Sequence, residues 1–276
     1  MRSFTQSLLI LSCLVLAACS SSDKRMEELT EREYYEQARE AMDDNNFLIA
    51  SERLQQLESL YPFGDYAEQA QLELIYTQHM MSDMEGALAS AERFIRLHPQ
   101  HEQVDYAYYM RGLSVYELGF SFVERYTPAE QARRDPTPFR DAFNHFDELV
   151  RRYPDSKYNE DAQKRMMFLR DRLAQYEIGV AKFYMKRHAF LAVAQRAERV
   201  MLNFQGTSMI PDALALQVEA YRLLGQDYEA EQALALLKLN YPKHKQLTAK
   251  GEFIDSGLTK EDRRTLIGVM SFGLID

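Results

Sequence analysis

Two thiols, six imidazoles and 42 carboxylates are the groups in this 276-residue chain that could do covalent, metal or acid–base chemistry. Cys19 is the best placed of them. It stands directly behind two small residues, Ala17 and Ala18, at the end of a short apolar run. The six histidines form no HExxH or comparable ligand spacing. His98 and His101 straddle a predicted turn, but His98 falls on an apolar helical face and reads as a half-buried packing residue. With 11 glycines the chain is too poor in glycine for a phosphate-cradling loop, and no Gly-x-Ser-x-Gly elbow occurs. The acids lie mainly on the outer faces of predicted helices, so no catalytic carboxylate pair stands out. The expectation is a protein that is not an enzyme, with no cofactor and no metal site.

The surroundings of Cys19 give its use. Arg2 supplies a positive start and residues 8–16 (LLILSCLVL) a short apolar run, followed at once by Ala17-Ala18-Cys19. That is the layout of a secretory signal. The 12 residues 7–18 fall well short of the roughly 20 that a spanning helix needs. Leu16-Ala17-Ala18-Cys19 resembles the bacterial lipobox, whose cysteine is diacylated, becomes the new N-terminus on cleavage and is then N-acylated. Residues 1–18 are therefore expected to be a removed signal peptide. Cys19 is expected to carry a covalent diacylglycerol and an N-acyl chain, and residues 19–30 to form a polar, flexible tether. The combined chains make a firm anchor, each buried methylene contributing roughly 0.8 kcal/mol. Ser20, by resemblance to Gram-negative sorting rules, favours the outer membrane, with the bulk of the chain on its periplasmic face.

Processing would leave 258 of the 276 residues, with Cys13 gone and the Cys19 thiol blocked. The mature chain then has no free thiol and no possible disulfide, a safe composition for an oxidising compartment. Loss of Arg2 takes the formal charge from −9 to −10, which disfavours nucleic acid as a partner and bulk attraction to anionic lipid.

The elements that follow are repeated. Five segments end alike: Leu60-Tyr61-Pro62, Leu97-His98-Pro99, Arg152-Tyr153-Pro154, Asn203-Phe204-Gln205 and Asn240-Tyr241-Pro242. Read backward, the first carries Phe47, Ala50, Leu54, Leu57 and Tyr61. The next three carry Met84, Ala87, Ala91, Phe94 and His98; Phe139, Ala142, Phe146, Leu149 and Tyr153; and Phe190, Val193, Ala197, Val200 and Phe204. Each comb steps by three and four residues, one face of an α-helix. The fifth keeps Ala230, Leu234, Leu237 and Tyr241 but has Asp227 in place of its first apolar residue, which predicts a shifted entry turn beside Tyr228. Proline follows four of the combs and is expected to stop those helices, because it cannot continue the hydrogen-bond ladder.

A partner helix precedes each comb. An alanine lies eight residues beyond each of the first four turn positions, at Ala70, Ala107, Ala162 and Ala213, where a small residue lets paired helices approach closely. Thr30 and Glu33 predict a capping box for an opening helix to about Asp43. The fold class is all-α, a tetratricopeptide-repeat superhelix (α-solenoid) of about five helix pairs over residues 31–242. The combs recur at intervals of 37, 55, 51 and 37 residues, against about 34 for the usual repeat. The first excess predicts a loop insert at 119–138, with Pro128, Pro136 and Pro138, inside the third unit. The second, between Asn159 and Arg187, has no proline and predicts helices longer than a standard repeat, or one single rod. Residues 243–276 read as a tail with a weak short helix over 259–270.

Specific stretches go beyond a generic repeat: Tyr61-Pro62-Phe63-Gly64, residues 93–99 (RFIRLHP), residues 105–113 (DYAYYMRGL), residues 164–174 (KRMMFLRDRLA) and Arg134-Asp135-Pro136. In these the chain resembles the BamD family, the tetratricopeptide-repeat lipoproteins of the outer-membrane β-barrel assembly machinery, from about Glu33 to Pro242. The resemblance implies an adaptor that binds the barrel-forming subunit, other accessory lipoproteins of the complex and unfolded outer-membrane proteins. It implies client-peptide binding at Tyr61, Pro62, Phe63 and Gly64, and subunit docking at Arg196 and Arg199, which sit three residues apart on one helix face. Departures are the tail, Gln205 for proline and a partly diverged insert. The alternative reading is another tetratricopeptide lipoprotein scaffold, a pilus-secretin pilotin or a cell-wall-synthesis coordinator.

Overall fold

The computed structural model of the protein describes residues 29–119 and 135–259. The signal sequence, Cys19, nearly all of the tether, most of the insert and nearly all of the weak 259–270 helix lie outside the described residues. The described residues fall into two compact units, one up to Ala70 and one from Gln71.

Among the described residues there are ten helices. They alternate as pairs: α1 (Glu31–Asp43) with α2 (Phe47–Leu60), α3 (Ala67–Met80) with α4 (Met84–Leu97), and α5 (Val104–Leu118) with α6 (Thr137–Arg152). The series ends with α7 (Asn159–Lys186), α8 (Phe190–Asn203), α9 (Ile210–Leu223) and α10 (Asp227–Asn240). The fold is all-α, an array of tetratricopeptide-type helix pairs. In the second unit each helix from α4 to α10 packs on the next in the chain.

The combs are the second helices of the pairs. In every comb the three middle residues are buried at 4% exposure or less and the two ends are less buried. The alanines Ala70, Ala107, Ala162 and Ala213 on the first helices are all at 1% or less. Gly112 belongs to the same logic: a Cβ there would lie 2.8 Å from the Phe146 ring, so its absence lets α5 close on α6.

Two turn types alternate. Inside four of the pairs, a residue with positive φ (Asn45, Ser82, His188 or Gly225) precedes the second helix. The next N–H reaches back five residues, as Asn46 does to the Ala41 carbonyl at 2.7 Å. This is the left-handed cap that satisfies helix-end carbonyls. After each comb a second turn repeats: Gly64, His101, Ser156, Thr207 and His244 donate to the carbonyls of Tyr61, His98, Tyr153, Phe204 and Tyr241.

Three expectations meet the structure differently. Proline does not decide where these helices stop. The fourth comb ends at Asn203 with the same turn although Gln205 stands where the others have proline. There Arg170 Nη2 donates to the carbonyls of Asn203 and Gln205, each at 3.2 Å, and helps satisfy the helix end. The fifth entry turn is not shifted. Asp227 is the first residue of α10, in register with Phe47, Met84 and Phe190, where an acid suits the positive end of the helix dipole. The insert ends earlier than 138: Thr137 opens α6, and Pro138 lies in its first turn, where the missing N–H costs nothing. The long interval after Asn159 is, as the missing proline suggested, a single rod: the 28-residue helix α7. Its Ala162 and Leu169 join the core with α6, and its Ala174, Ile178, Ala181 and Met185 join the core with α8 and α9.

Thr30 caps α1 as expected. Its side chain accepts from the Glu33 N–H, and the Glu33 carboxylate returns to the Thr30 N–H at 2.7 Å. His98 is half-buried, its Nε2 3.1 Å from Gln71 Oε1 and its ring 5.0 Å from that of Phe94. Among the described residues no group of three or more His, Cys, Asp or Glu could hold a metal ion, and no helix is long and apolar enough to cross a membrane.

Candidate partner-binding surfaces

The turn at 61–64 separates into residues that hold it and a residue that it displays. Tyr61 is half-buried. Its hydroxyl donates to the Leu29 carbonyl at 2.9 Å, and its ring tilts against Tyr34 with centroids 6.4 Å apart. Glu31, from the first turn of α1, places its carboxylate over the start of α3. It accepts the N–H groups of Tyr66 at 2.7 Å and Asp65 at 3.2 Å, groups that an α-helix leaves unpaired. A Cβ on Gly64 would collide with that carboxylate. Gly64 thus leaves room for the Glu31 carboxylate, which a Cβ would push aside. Tyr35 stacks on Tyr66 at 4.7 Å and completes the tie. Pro62 is exposed, and Phe63 is 99% exposed. An apolar ring fully in water on a braced turn has no packing role among the described residues, and it can meet an apolar or aromatic side chain of a partner.

The same bracing recurs at later turns. Asp105 Oδ2 accepts from Ser156 Oγ at 2.6 Å, and Asp171 Oδ1 accepts from both Ser208 N–H and Oγ. Asp212 receives His244 at 2.9 Å. In each case a polar side chain of one first helix ties the turn that comes after the next comb.

The second surface lies on α7 and α8. Arg196 and Arg199 do share a face, but they do not form a free basic stripe. Both converge on Glu177 of α7: Arg196 Nη1 is 2.8 Å from Oε2, and Arg199 Nη1 is 3.5 Å from Oε1. Glu177 is largely buried, at 12% side-chain exposure, against 29% for Arg196 and 54% for Arg199. The hydrogen bond to Glu177 raises the Arg196 pKa further above its ordinary value. One carboxylate thus neutralises one of two guanidinium groups and fixes the orientation of both. The cluster keeps one net positive charge on a chain of net −9, and Arg199 presents N–H groups that suit a carboxylate. Beside it, between α6, α7 and α8, lies a cavity of about 360 Å³ lined by Phe143, Leu173, Tyr176 and Phe204. Arg140, Arg170, Arg199 and Glu177 line it too. Apolar side chains with three arginines against one glutamate suit an apolar side chain next to an acid.

Glu31, Glu177 and the cavity were not singled out from the sequence. Glu31 is 33 residues from Gly64 and Glu177 is 19 from Arg196, and no local spacing links such pairs. The stretches 105–113 and 164–174 turn out to meet: Tyr109 donates to Asp161 at 2.7 Å, and Arg165 pairs with the same carboxylate at 2.6 Å.

Residues 27–236 match the model of a family described as outer membrane lipoprotein, YfiO. The chain belongs to this outer membrane lipoprotein family. Among curated proteins it is 38% identical to the outer membrane protein assembly factor BamD of Vibrio cholerae, over 84% of this chain and 96% of that one. It is 36% identical to BamD of Neisseria meningitidis serogroup A, over 85% and 90%. It is 32% identical to BamD of Xylella fastidiosa strain 9a5c, over 88% and 84%. Among solved structures, a tetratricopeptide repeat protein from Parabacteroides merdae covers 77% of this chain and 67% of its own at 15% identity, with a TM-score of 0.39.

Proposed function

We propose that the protein is an outer membrane protein assembly factor: a binding adaptor of the β-barrel assembly machinery that helps outer-membrane β-barrel proteins insert and fold. The observation that carries this reading is identity of 32–38% to proteins of that name across more than four fifths of the chain. The helix-pair array supports it, since such repeats offer surfaces to peptides and domains.

In this reading Cys19 carries the acyl chains and holds the protein at the periplasmic face of the outer membrane. Arg196 and Arg199, oriented by Glu177, dock the barrel-forming subunit. Tyr61, Pro62, Phe63 and Gly64 form the client site, with Phe63 making the contact and Tyr61 and Gly64 setting the turn. The remaining accessory lipoproteins of the complex complete the list of partners.

The test is affinity capture from detergent-solubilised envelopes, read by mass spectrometry, with the native protein and with Cys19→Ser. The native protein should recover a barrel-forming subunit. The Cys19→Ser protein should take up no fatty-acid label and persist as an unprocessed precursor. Recovery of a pilus secretin or a cell-wall synthase in place of a barrel subunit would reject the adaptor role, and fatty-acid label on Cys19→Ser would reject the anchor.

A further inference from the structure

The outward faces of the five combs differ. Counted from the first residue of each comb, the second and thirteenth residues share a helix face and are exposed in every comb. In chain order they are Leu48 with Ser59, Glu85 with Arg96, Arg140 with Arg151, Leu191 with Leu202, and Tyr228 with Leu239. Only the last two combs are apolar at both places. Leu191, Leu202, Tyr228 and Leu239 are each at least 58% exposed among the described residues. One exposed apolar side chain is ordinary, but four at equivalent positions on two helices make a patch.

The two helices are brought side by side by α9, which packs on both. Met201 of α8 and Tyr241, the cap of α10, pack on one buried cluster of Leu214, Ala215 and Leu237. Leu191 and Leu202 thus stand on one wall of a groove, and Tyr228 and Leu239 on the other. Tyr221 of α9 lies between the walls. Burial first, and then the charges of Glu198 on α8 and Glu229 on α10, raise its pKa above the ordinary tyrosine value, so two carboxylates from opposite walls stand near one hydroxyl. Glu198 and Glu229 pair with no cation among the described residues. Arg199 is engaged by Glu177, and Arg222 by Glu231 at 3.8 Å. Lys238 shares with Glu231 the opposite flank of α10 from Glu229.

We propose that the groove between α8 and α10 docks one cationic amphipathic helix of a partner protein. Its apolar ridge would lie along Leu191, Leu202, Tyr228 and Leu239, with a lysine or arginine on each flank facing Glu198 and Glu229. The dimensions suit a helix. From Leu191 to Leu202 the wall runs about 16 Å, three turns of an occupant laid along it, and helix-in-groove recognition uses anchors at that spacing. The charges select its sign: a chain of net −9 sets two uncompensated carboxylates beside an apolar floor, which repels an acidic helix and a second copy of itself and attracts a basic one. This surface is separate from the docking role given to Arg196, which turns toward Glu177 of α7, and it stands or falls independently of that role.

The test titrates the full chain with two synthetic helical peptides, read by fluorescence anisotropy. Both carry a leucine ridge; one has lysine on both flanks and the other glutamate. The lysine peptide should bind at least about tenfold more tightly than the glutamate peptide. Glu198→Lys with Glu229→Lys should reverse that preference, because only the sign of the walls has changed. Leu202→Ser with Leu239→Ser should weaken the lysine peptide by about tenfold or more, since burying even one apolar side chain is worth that factor, with helical content unchanged. Failure of the lysine peptide to bind, equal binding of the two peptides by the parent, or a preference that survives the charge reversal would each overturn the proposal. So would sedimentation of the parent as a dimer that Leu202→Ser with Leu239→Ser dissolves, which would give the groove to a second copy. If the serine variant does not fold, the charge reversal decides alone.

Discussion

Glu177 of α7 holds Arg196 of α8 at 2.8 Å, with the carboxylate the more buried of the two. An arginine that looks like a free surface cation in sequence is thereby a fixed one, aimed before any partner arrives. Reversing it should do two things at once. Arg196→Glu places a second carboxylate beside Glu177 and removes the guanidinium from the docking face. Complex formation with the periplasmic part of the barrel-forming subunit should weaken by about 2–5 kcal/mol if the contact is desolvated, with helical content retained. Glu177→Gln keeps Arg196 and should weaken it less. Equal binding by Arg196→Glu and the parent, measured by titration calorimetry, would take Arg196 out of the interface.

The turn at 61–64 predicts opposite outcomes for neighbours. Gly64→Ala drives a methyl into the Glu31 carboxylate and should cost about 1–3 kcal/mol of stability as the cap of α3 is displaced. Phe63 packs on none of the described residues, so Phe63→Ser should stay within about 0.5 kcal/mol of the parent. Urea unfolding separates the two. Loss of client-peptide binding by Phe63→Ser at unchanged stability would report a direct contact, and unchanged binding would remove Phe63 from the site.

Gln205 offers a gain. Four equivalent turns carry proline with the same hydrogen bonds, so the backbone there accepts one. Gln205→Pro should stabilise by about 0.4–1 kcal/mol, mainly by restricting the unfolded chain. Destabilisation in thermal unfolding would mean that the fourth turn differs from the others at that residue.

Asp212 ties α9 to the segment beyond α10. Burial alone would raise its pKa, but hydrogen bonds from His244 and Lys245 and the charge of Lys182 hold it below the usual aspartate value. A carboxylate with a depressed folded pKa stabilises above its unfolded pKa, and that contribution is lost as pH falls through the folded one. Asp212→Asn should therefore be less stable than the parent at neutral pH, and the gap should close well below about pH 4. A gap of constant size between neutral and acid pH, in denaturant titrations, would assign the effect to packing and not to charge.

The sequence determined what depends on neighbours along the chain. Phe47, Ala50, Leu54 and Leu57 lie on one helical face because the helix period brings residues three and four apart together. The same arithmetic located all five combs, the alanines opposite them, the Thr30 cap and the long helix from Asn159. It over-read proline at the comb ends and Asp227 at the fifth entry, because composition at one position was set against a turn that repeats regardless of it. Tertiary structure alone decided the rest. It brought the Glu31 carboxylate against Gly64, 33 residues along the chain, where a Cβ would push it aside. It brought Glu177 to Arg196 and turned a presumed basic stripe into an oriented ion pair. It left Phe63 in water and packed Leu258 against the core of α7, α8 and α9. The physical reason is that a contact between helices depends on the rotation and crossing of both, which the turns and the packed cores fix together and no single helix period encodes.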